Sequence, residues 1–180
     1  MLVRHADAAR DGAACAAIYA PSVTGSAVSF EEVAPDAQEL SRRIARTAAR
    51  YSWLVAEVDG AVAGYAYGSE HRERAAYRWA ADVAVYVEES YRGRGVGKRL
   101  YTTLFELLSR QGLRMLCAGV TLPNQASVAL HESCGFEPAG VYRRIGFKAG
   151  QWHDVGWWQL ELPGADPPQE PGDPVQLSPT

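Results

Sequence analysis

One stretch of this chain has residue types and spacing suited to holding an anion: Val85-Tyr86-Val87-Glu88-Glu89-Ser90-Tyr91-Arg92-Gly93-Arg94-Gly95-Val96-Gly97-Lys98. It reads as the end of a strand, a glycine loop and the start of a helix. Backbone N–H groups at a helix start lack intrahelical partners and sit at the positive end of the helix dipole. Glycines let the main chain close on an anion, which is a diphosphate-binding geometry. Arg92, Arg94 and Lys98 add positive charge. A Walker loop would end in Gly-Lys-Ser/Thr, but Lys98 is followed by Arg99. A Rossmann fingerprint would follow the first strand of a βαβ unit, and this stretch lies mid-chain. The competing reading is a loop of turn glycines with no ligand.

Other chemistry-bearing residues are sparse. Cys15, Cys117 and Cys134 are odd in number and widely spaced, so they form neither a disulfide framework nor a CxxC metal pair. Neither Cys117 nor Cys134 has a recognisable base partner, which argues against a cysteine nucleophile. No metal site is expected. His5 and His71 have no assigned role, and His153, Trp157 and Trp158 read as structural. His131 sits in a short amphipathic helix; its ordinary pKa of ~6.5 suits proton transfer near neutrality.

The elements that must position these groups alternate between the two hydrophobic periods. Leu2 to His5 is a short strand. Asp7 is the N-cap of an alanine-rich helix through Tyr19. Pro21 to Pro35 reads as loop, and Asp36 to Arg50 as a second helix with Leu40, Ile44 and Ala48 on one face. Trp53 to Val58 and Ala61 to Gly68 form a hairpin, because Asp59-Gly60 between apolar runs suits a type I′ turn. A charged loop, Glu70 to Arg78, leads to a strand from Trp79 to Val87. A helix from Gly95 to Gln111 turns Leu100, Leu104, Leu107 and Leu108 inward and stops at Gly112. A strand (Met115 to Thr121), a short helix (Asn124 to Cys134) and two strands (Gly140 to Lys148, Trp152 to Leu162) complete the domain. The order βα, α, βββ, α, β, α, ββ describes an α/β sandwich around one mixed sheet.

At 180 residues the chain is one domain, or one domain and a tail. A hydrophobic fraction of 47% with 22% charged residues excludes general disorder. Six of the ten prolines fall in residues 163–180, which hold Asp166, Glu170 and Asp173 but no Lys or Arg. That segment reads as a disordered tail, with docking on the domain as the alternative. It carries the whole net charge of -3, leaving residues 1–162 formally neutral. A neutral domain without a basic face disfavours nucleic acid, and no apolar run spans a bilayer. The N-terminus lacks signal-peptide features, so a cytoplasmic protein with reduced thiols is expected.

Read as Arg92-x-x-Gly95-x-Gly97, the glycine stretch resembles the acetyl-CoA pyrophosphate loop of the GNAT N-acetyltransferases. Asn124-Gln125-Ala126-Ser127-Val128-Ala129-Leu130-His131-Glu132-Ser133-Cys134-Gly135-Phe136 resembles that superfamily's next helix, with His131 where tyrosine is usual. Trp53 to Gly60, Ala76 to Trp79, Val85 to Val87, Leu122-Pro123-Asn124 and Gly150 to Gly156 are similar to the phosphinothricin N-acetyltransferases, as are Ser26 to Phe30 and Pro35. The resemblance covers residues 1–162. It implies the GNAT fold and acetyl transfer from acetyl-CoA, as cosubstrate, to the free amine of phosphinothricin or methionine sulfoximine, a detoxification activity. Other amines (arsinothricin, other amino acids, a protein N-terminus) and a non-catalytic acyl-CoA-binding module are the alternatives. Family members are commonly homodimers, so a homodimer is expected.

The resemblance also assigns roles. Asp82 aligns with a glutamate that the family uses as base; the shorter side chain favours a water relay over direct contact with the amine. His131 occupies the general-acid position, and either protonates the thiolate or deprotonates the amine. Val85, Tyr86 and Val87 offer main-chain groups to pantetheine. Arg92, Gly93, Arg94, Gly95, Val96, Gly97 and Lys98 hold the diphosphate, and Asn124 and Ser127 complete the coenzyme site. Arg72, Arg74 and Tyr77 match substrate-binding positions, with a solvated charged loop as the competing reading. Phe30 either walls the substrate pocket or belongs to the core.

Overall fold

The computed structural model describes residues 1–177. Among these residues, seven strands form one sheet in the order β1-β2-β3-β4-β5-β7-β6. They are β1 (Leu2–His5), β2 (Trp53–Val58), β3 (Ala61–Glu70), β4 (Ala80–Val87), β5 (Met115–Leu122), β6 (Glu137–Lys148) and β7 (Gln151–Glu161). Among the described residues, only the β4–β5 pair is parallel. Helices α1 (Ala8–Thr24) and α2 (Ala37–Ala48) cover one face, and α3 (Val96–Gln111) with α4 (Gln125–Ser133) the other. Alternation along β2 feeds both layers. Leu54 and Ala56 enter the α3 core, while Trp53 and Val55 enter the α1–α2 core. A sheet buried on both faces needs such near-continuous apolar strands.

Local signals set most boundaries. Asp7 caps α1 by accepting from the N–H groups of Ala9 and Arg10 at 2.9 Å. Asp59 and Gly60 have φ of 51° and 81°, the two positive values a type I′ turn requires. Gly112, at φ 103°, ends α3, and the Leu113 N–H reaches back to the Leu108 carbonyl. Two boundaries differ most from expectation: β6 begins at Glu137 rather than Gly140, and α1 runs past Tyr19 and through Pro21 to Thr24. Proline removes one N–H, but the extra turn buries Val23 completely.

The tail also differs from the reading based on composition. Residues 163–177 have no helix or strand, yet they lie against the domain. The Trp79 indole donates to the Gln169 carbonyl at 2.7 Å, Gln111 and Gly172 exchange hydrogen bonds, and Arg78 pairs with Glu170. Val175 and Leu177 pack on the α3 core. Polar anchors to main-chain groups hold this segment, a contribution that residue composition does not reveal.

The N-terminal strand is tied to α1 by a buried ion pair. Arg4 grips Asp11 with two bonds of 2.7 and 2.8 Å, and the Asp7 N–H donates to the same carboxylate. These donors outweigh burial and hold the Asp11 pKa below its usual value. Asp11→Ala, which leaves Arg4 without its main partner, is expected to cost about 3–5 kcal/mol, read by urea unfolding. Because the folded carboxyl titrates lower than the unfolded one, its contribution is complete above the unfolded pKa of ~3.9 and is lost as pH falls through the folded value. The stability difference between wild type and Asp11→Ala therefore narrows only in acid.

Candidate active site

Strands β4 and β5 pair over three positions only: Ala80 with Met115, Ala81 with Leu116 and Asp82 with Cys117. Beyond Asp82 they separate, leaving a gap in the sheet. The Glu88 N–H donates to the Ala63 carbonyl, so alternation along the β3–β4 ladder turns the polar groups of Tyr86 to β3 and those of Val85 and Val87 into the gap. The Val87 carbonyl accepts from Arg92 Nε at 3.2 Å. The Tyr86 ring lies on the α1 side, 4.9 Å from Tyr19 and 5.3 Å from Tyr65.

The gap opens into a cleft of about 520 Å³. Val85, Val87, Arg92, Gly93, Gly95, Val96, Gly97, Lys98, Asn124 and Ser127 all line it, with Tyr91, Ala126 and Leu130. Gly93 and Gly95 have φ of 72° and 79°, and Gly95 is the N-cap of α3 without a side-chain cap. The first hydrogen bond back to the cap comes from Arg99, so the N–H groups of Val96, Gly97 and Lys98 have no intrahelical acceptor. Gly97 also lets α3 approach α4: a Cβ there would meet Leu130 at 3.0 Å. Arg94 does not line the cleft; its guanidinium lies 5.6 Å from the Tyr91 ring. Asn124 caps α4 by accepting from the Ser127 N–H at 3.1 Å, which leaves its amide N–H₂ free to donate. These features fit a diphosphate at the α3 end and an amide-bearing arm along Val85 and Val87, as coenzyme A would provide.

His131 lies at the floor of a small adjoining cavity of about 70 Å³ with Tyr101, Gly119 and Thr121. It is buried, and both ring nitrogens are engaged: Nδ1 with the Ser127 carbonyl at 2.7 Å and Nε2 with the Tyr101 hydroxyl at 2.9 Å. A carbonyl only accepts, so Nδ1 carries the proton and Tyr101 donates to Nε2. Burial pushes the His131 pKa down, and the ring is neutral at pH 7. Tyr101, fully buried with its pKa raised by burial, was not singled out from sequence. It looks like an ordinary inward position of α3.

On the opposite face, Asp82 accepts from His71 Nδ1 at 2.6 Å. Burial raises the Asp82 pKa and the His71 bond opposes the rise. Cys117 is the cross-strand neighbour of Asp82, its thiol pushed up to about 11 by burial and by that carboxylate. Ligand atoms of His71, Asp82 and Cys117 lie within 4.8 Å of one another. The His71 ring meets Tyr77 at 5.8 Å and Trp157 at 6.2 Å, both edge-on, and Arg72 lies 6.0 Å from Trp157. Trp157 covers Gly119, where a Cβ would meet its ring at 3.3 Å.

The structure thus brings Asp82, Arg72 and Tyr77 around His71. Arg74 precedes the 3-10 turn Ala75–Tyr77, exposed and without a side-chain bond among the described residues. Phe30 packs over Gly146 of β6 and lies 6.1 Å from His153; its neighbours Val28 and Ser22 line the cleft instead. His71 was missed because no local motif marks it. Its signal is topological, since the antiparallel return from β3 to β4 pairs Ser69 with Asp82 and leaves His71 beside it.

Known proteins resemble this chain over most of its length. A model of the acetyltransferase (GNAT) domain matches residues 5–157. A phosphinothricin N-acetyltransferase of Streptomyces viridochromogenes is 41% identical over 171 residues, 94% of this chain and 93% of that protein. An L-methionine sulfoximine/L-methionine sulfone acetyltransferase of Salmonella typhimurium is 34% identical, covering 90% of this chain and 95% of the relative. Among solved structures, a phosphinothricin acetyltransferase from Sinorhizobium meliloti in complex with acetyl-CoA superposes with a TM-score of 0.85 at 35% identity, over 89% of this chain and 88% of the other.

Proposed function

The chain belongs to the acetyltransferase (GNAT) family, and from that premise we propose that it acetylates the α-amine of phosphinothricin-like amino acids, including methionine sulfoximine. It is an acetyl-CoA-dependent N-acetyltransferase acting on amino-acid-like substrates. The observation that carries the finer reading is the two-sided gap between β4 and β5. Unpaired α3 amides line one mouth and the Asp82–His71 pair lies on the other face.

When bound, acetyl-CoA supplies an acetyl thioester. The residues that would hold it are Gly95, Val96, Gly97 and Lys98 at the diphosphate, Arg92 beside them, Val85 and Val87 through main-chain groups, and Asn124 through its amide. An ammonium cannot attack a carbonyl, so the chain must take a proton from the amine. Asp82 is the half-buried carboxylate placed to support this transfer, and general-base catalysis contributes about 10²–10⁴. At the cavity floor, His131 Nε2 accepts from the Tyr101 hydroxyl at 2.9 Å and Nδ1 donates to the Ser127 carbonyl, so the ring is fixed in one orientation there. Arg72 and Tyr77 flank His71, and a guanidinium there suits a carboxylate or phosphinate.

Release of CoA thiol should be measured with phosphinothricin, methionine sulfoximine, methionine sulfone and a peptide bearing an N-terminal alanine. Turnover of the amino-acid analogues is expected; turnover of the peptide alone would defeat the substrate assignment. Val141, Tyr142, Ile145, Phe147 and Trp152 on the β6–β7 hairpin are each half or more exposed. Such a patch on an edge strand supports pairing with a second copy. Sedimentation equilibrium is expected to give a dimer, and Ile145→Glu a monomer.

A further inference from the structure

We propose that the group taking the amine proton is His71, at Nε2, with Asp82 acting through it as an orienting carboxylate. This deepens the acetyltransferase reading and rests on it. Three observations carry it. First, His71 Nδ1 is 2.6 Å from Asp82 Oδ1. An ionised carboxylate only accepts, so this bond fixes the proton on Nδ1 and leaves the lone pair on Nε2. Second, Nε2 has no hydrogen-bond partner among the described residues and is not one of the buried unpartnered atoms, so solvent or substrate reaches it. Third, the ring is held edge-on by Tyr77 and Trp157, beside Arg72, where an anionic substrate group would be drawn. The other titratable groups facing it are Asp82 on β4, Cys117 on β5, and Arg72 and Tyr77 in its own loop.

Asp82 alone is a poor base for this reaction. Its Oδ1 is committed to His71, and its side chain is one methylene shorter than glutamate. The imidazole extends the reach of the carboxylate by one ring, the place a relaying water would otherwise take. The proton balance is simple. An N–H bond of the substrate ammonium breaks and an Nε2–H bond forms, giving an imidazolium paired with the Asp82 carboxylate. The freed nitrogen lone pair attacks the thioester carbon. As the C–S bond breaks, the nitrogen gives up a second proton and the departing thiolate gains one, yielding CoA thiol and the amide. The imidazolium returns its proton to solvent, so one proton is released per turnover.

The test compares wild type, His71→Gln and His71→Ala. His71→Gln is expected to lower kcat/KM for the amine by roughly 10²-fold or more, to abolish the acid limb of its pH profile, and to leave acetyl-CoA affinity by calorimetry unchanged. Added imidazole should restore part of the activity of His71→Ala. In the protein without ligands, a downfield Nδ1–H proton resonance should be present in wild type and absent in His71→Gln and Asp82→Ala. Wild-type turnover with His71→Gln within threefold and an unaltered acid limb would overturn the proposal while sparing the acetyltransferase reading. Wild type that binds acetyl-CoA but acetylates no amine would overturn both.

Discussion

Asp82→Ala is expected to lower kcat/KM for the amine by about 10²–10⁴, or ~2.7–5.5 kcal/mol of transition-state stabilisation. The acetyl-CoA dissociation constant should stay within about threefold of wild type, because no atom of Asp82 lines the coenzyme cleft. The fold should also survive, since the carboxylate is half-buried and its one side-chain partner among the described residues is His71. The second half of the expectation is non-additivity. If Asp82 works by orienting His71, the double variant Asp82→Ala/His71→Gln is no slower than the poorer single variant. Steady-state kinetics with the amine varied at saturating acetyl-CoA reads both results. Unchanged turnover of Asp82→Ala would reject any role for this carboxylate in proton transfer.

Lys98→Glu is expected to raise the acetyl-CoA dissociation constant by roughly 10–100-fold. A charge-assisted bond to an anion is worth about 1.5–3 kcal/mol, and each 1.4 kcal/mol is tenfold. Lys98 lies in the first turn of α3, at the cleft wall. A glutamate there favours the helix, because acidic groups suit its N-terminus, so the loss cannot come from unfolding. Raising ionic strength should weaken wild-type binding more steeply than that of the variant, as screening removes attraction in one case and repulsion in the other. Amine turnover at saturating acetyl-CoA should change little. A calorimetric titration that finds equal affinities would mean that the anion does not reach the helix start.

The sequence carried much of the fold because its strongest signals are local. Asp59-Gly60 demands a left-handed pair and so a hairpin, and the leucine spacing of α3 and its Gly112 stop need no tertiary information. The glycine loop was legible for the same reason. Three features were not. The separation of β4 from β5 is set by which residues pair across strands, and nothing in Val83–Val87 differs locally from a strand paired on both sides. The His71–Asp82 contact arises because two strands run antiparallel, which brings together residues that share no motif. Residues 163–177 were read from proline content, whereas main-chain bonds to Trp79, Gln111 and Arg114 hold them on the domain. His131 lay between these cases. Its position was legible, but its state depends on Ser127 and Tyr101, one on its own helix and one on α3.

The account depends most on main-chain amides of α3 capturing a diphosphate and so aligning an acyl arm with the gap in the sheet. Calorimetric titration of the protein with coenzyme A, beside pantetheine, which lacks the diphosphate, tests this directly. Saturable one-to-one heat with coenzyme A, and affinity for pantetheine at least about 100-fold weaker, is the predicted result. No heat with coenzyme A, or equal affinity for the two ligands, would contradict it.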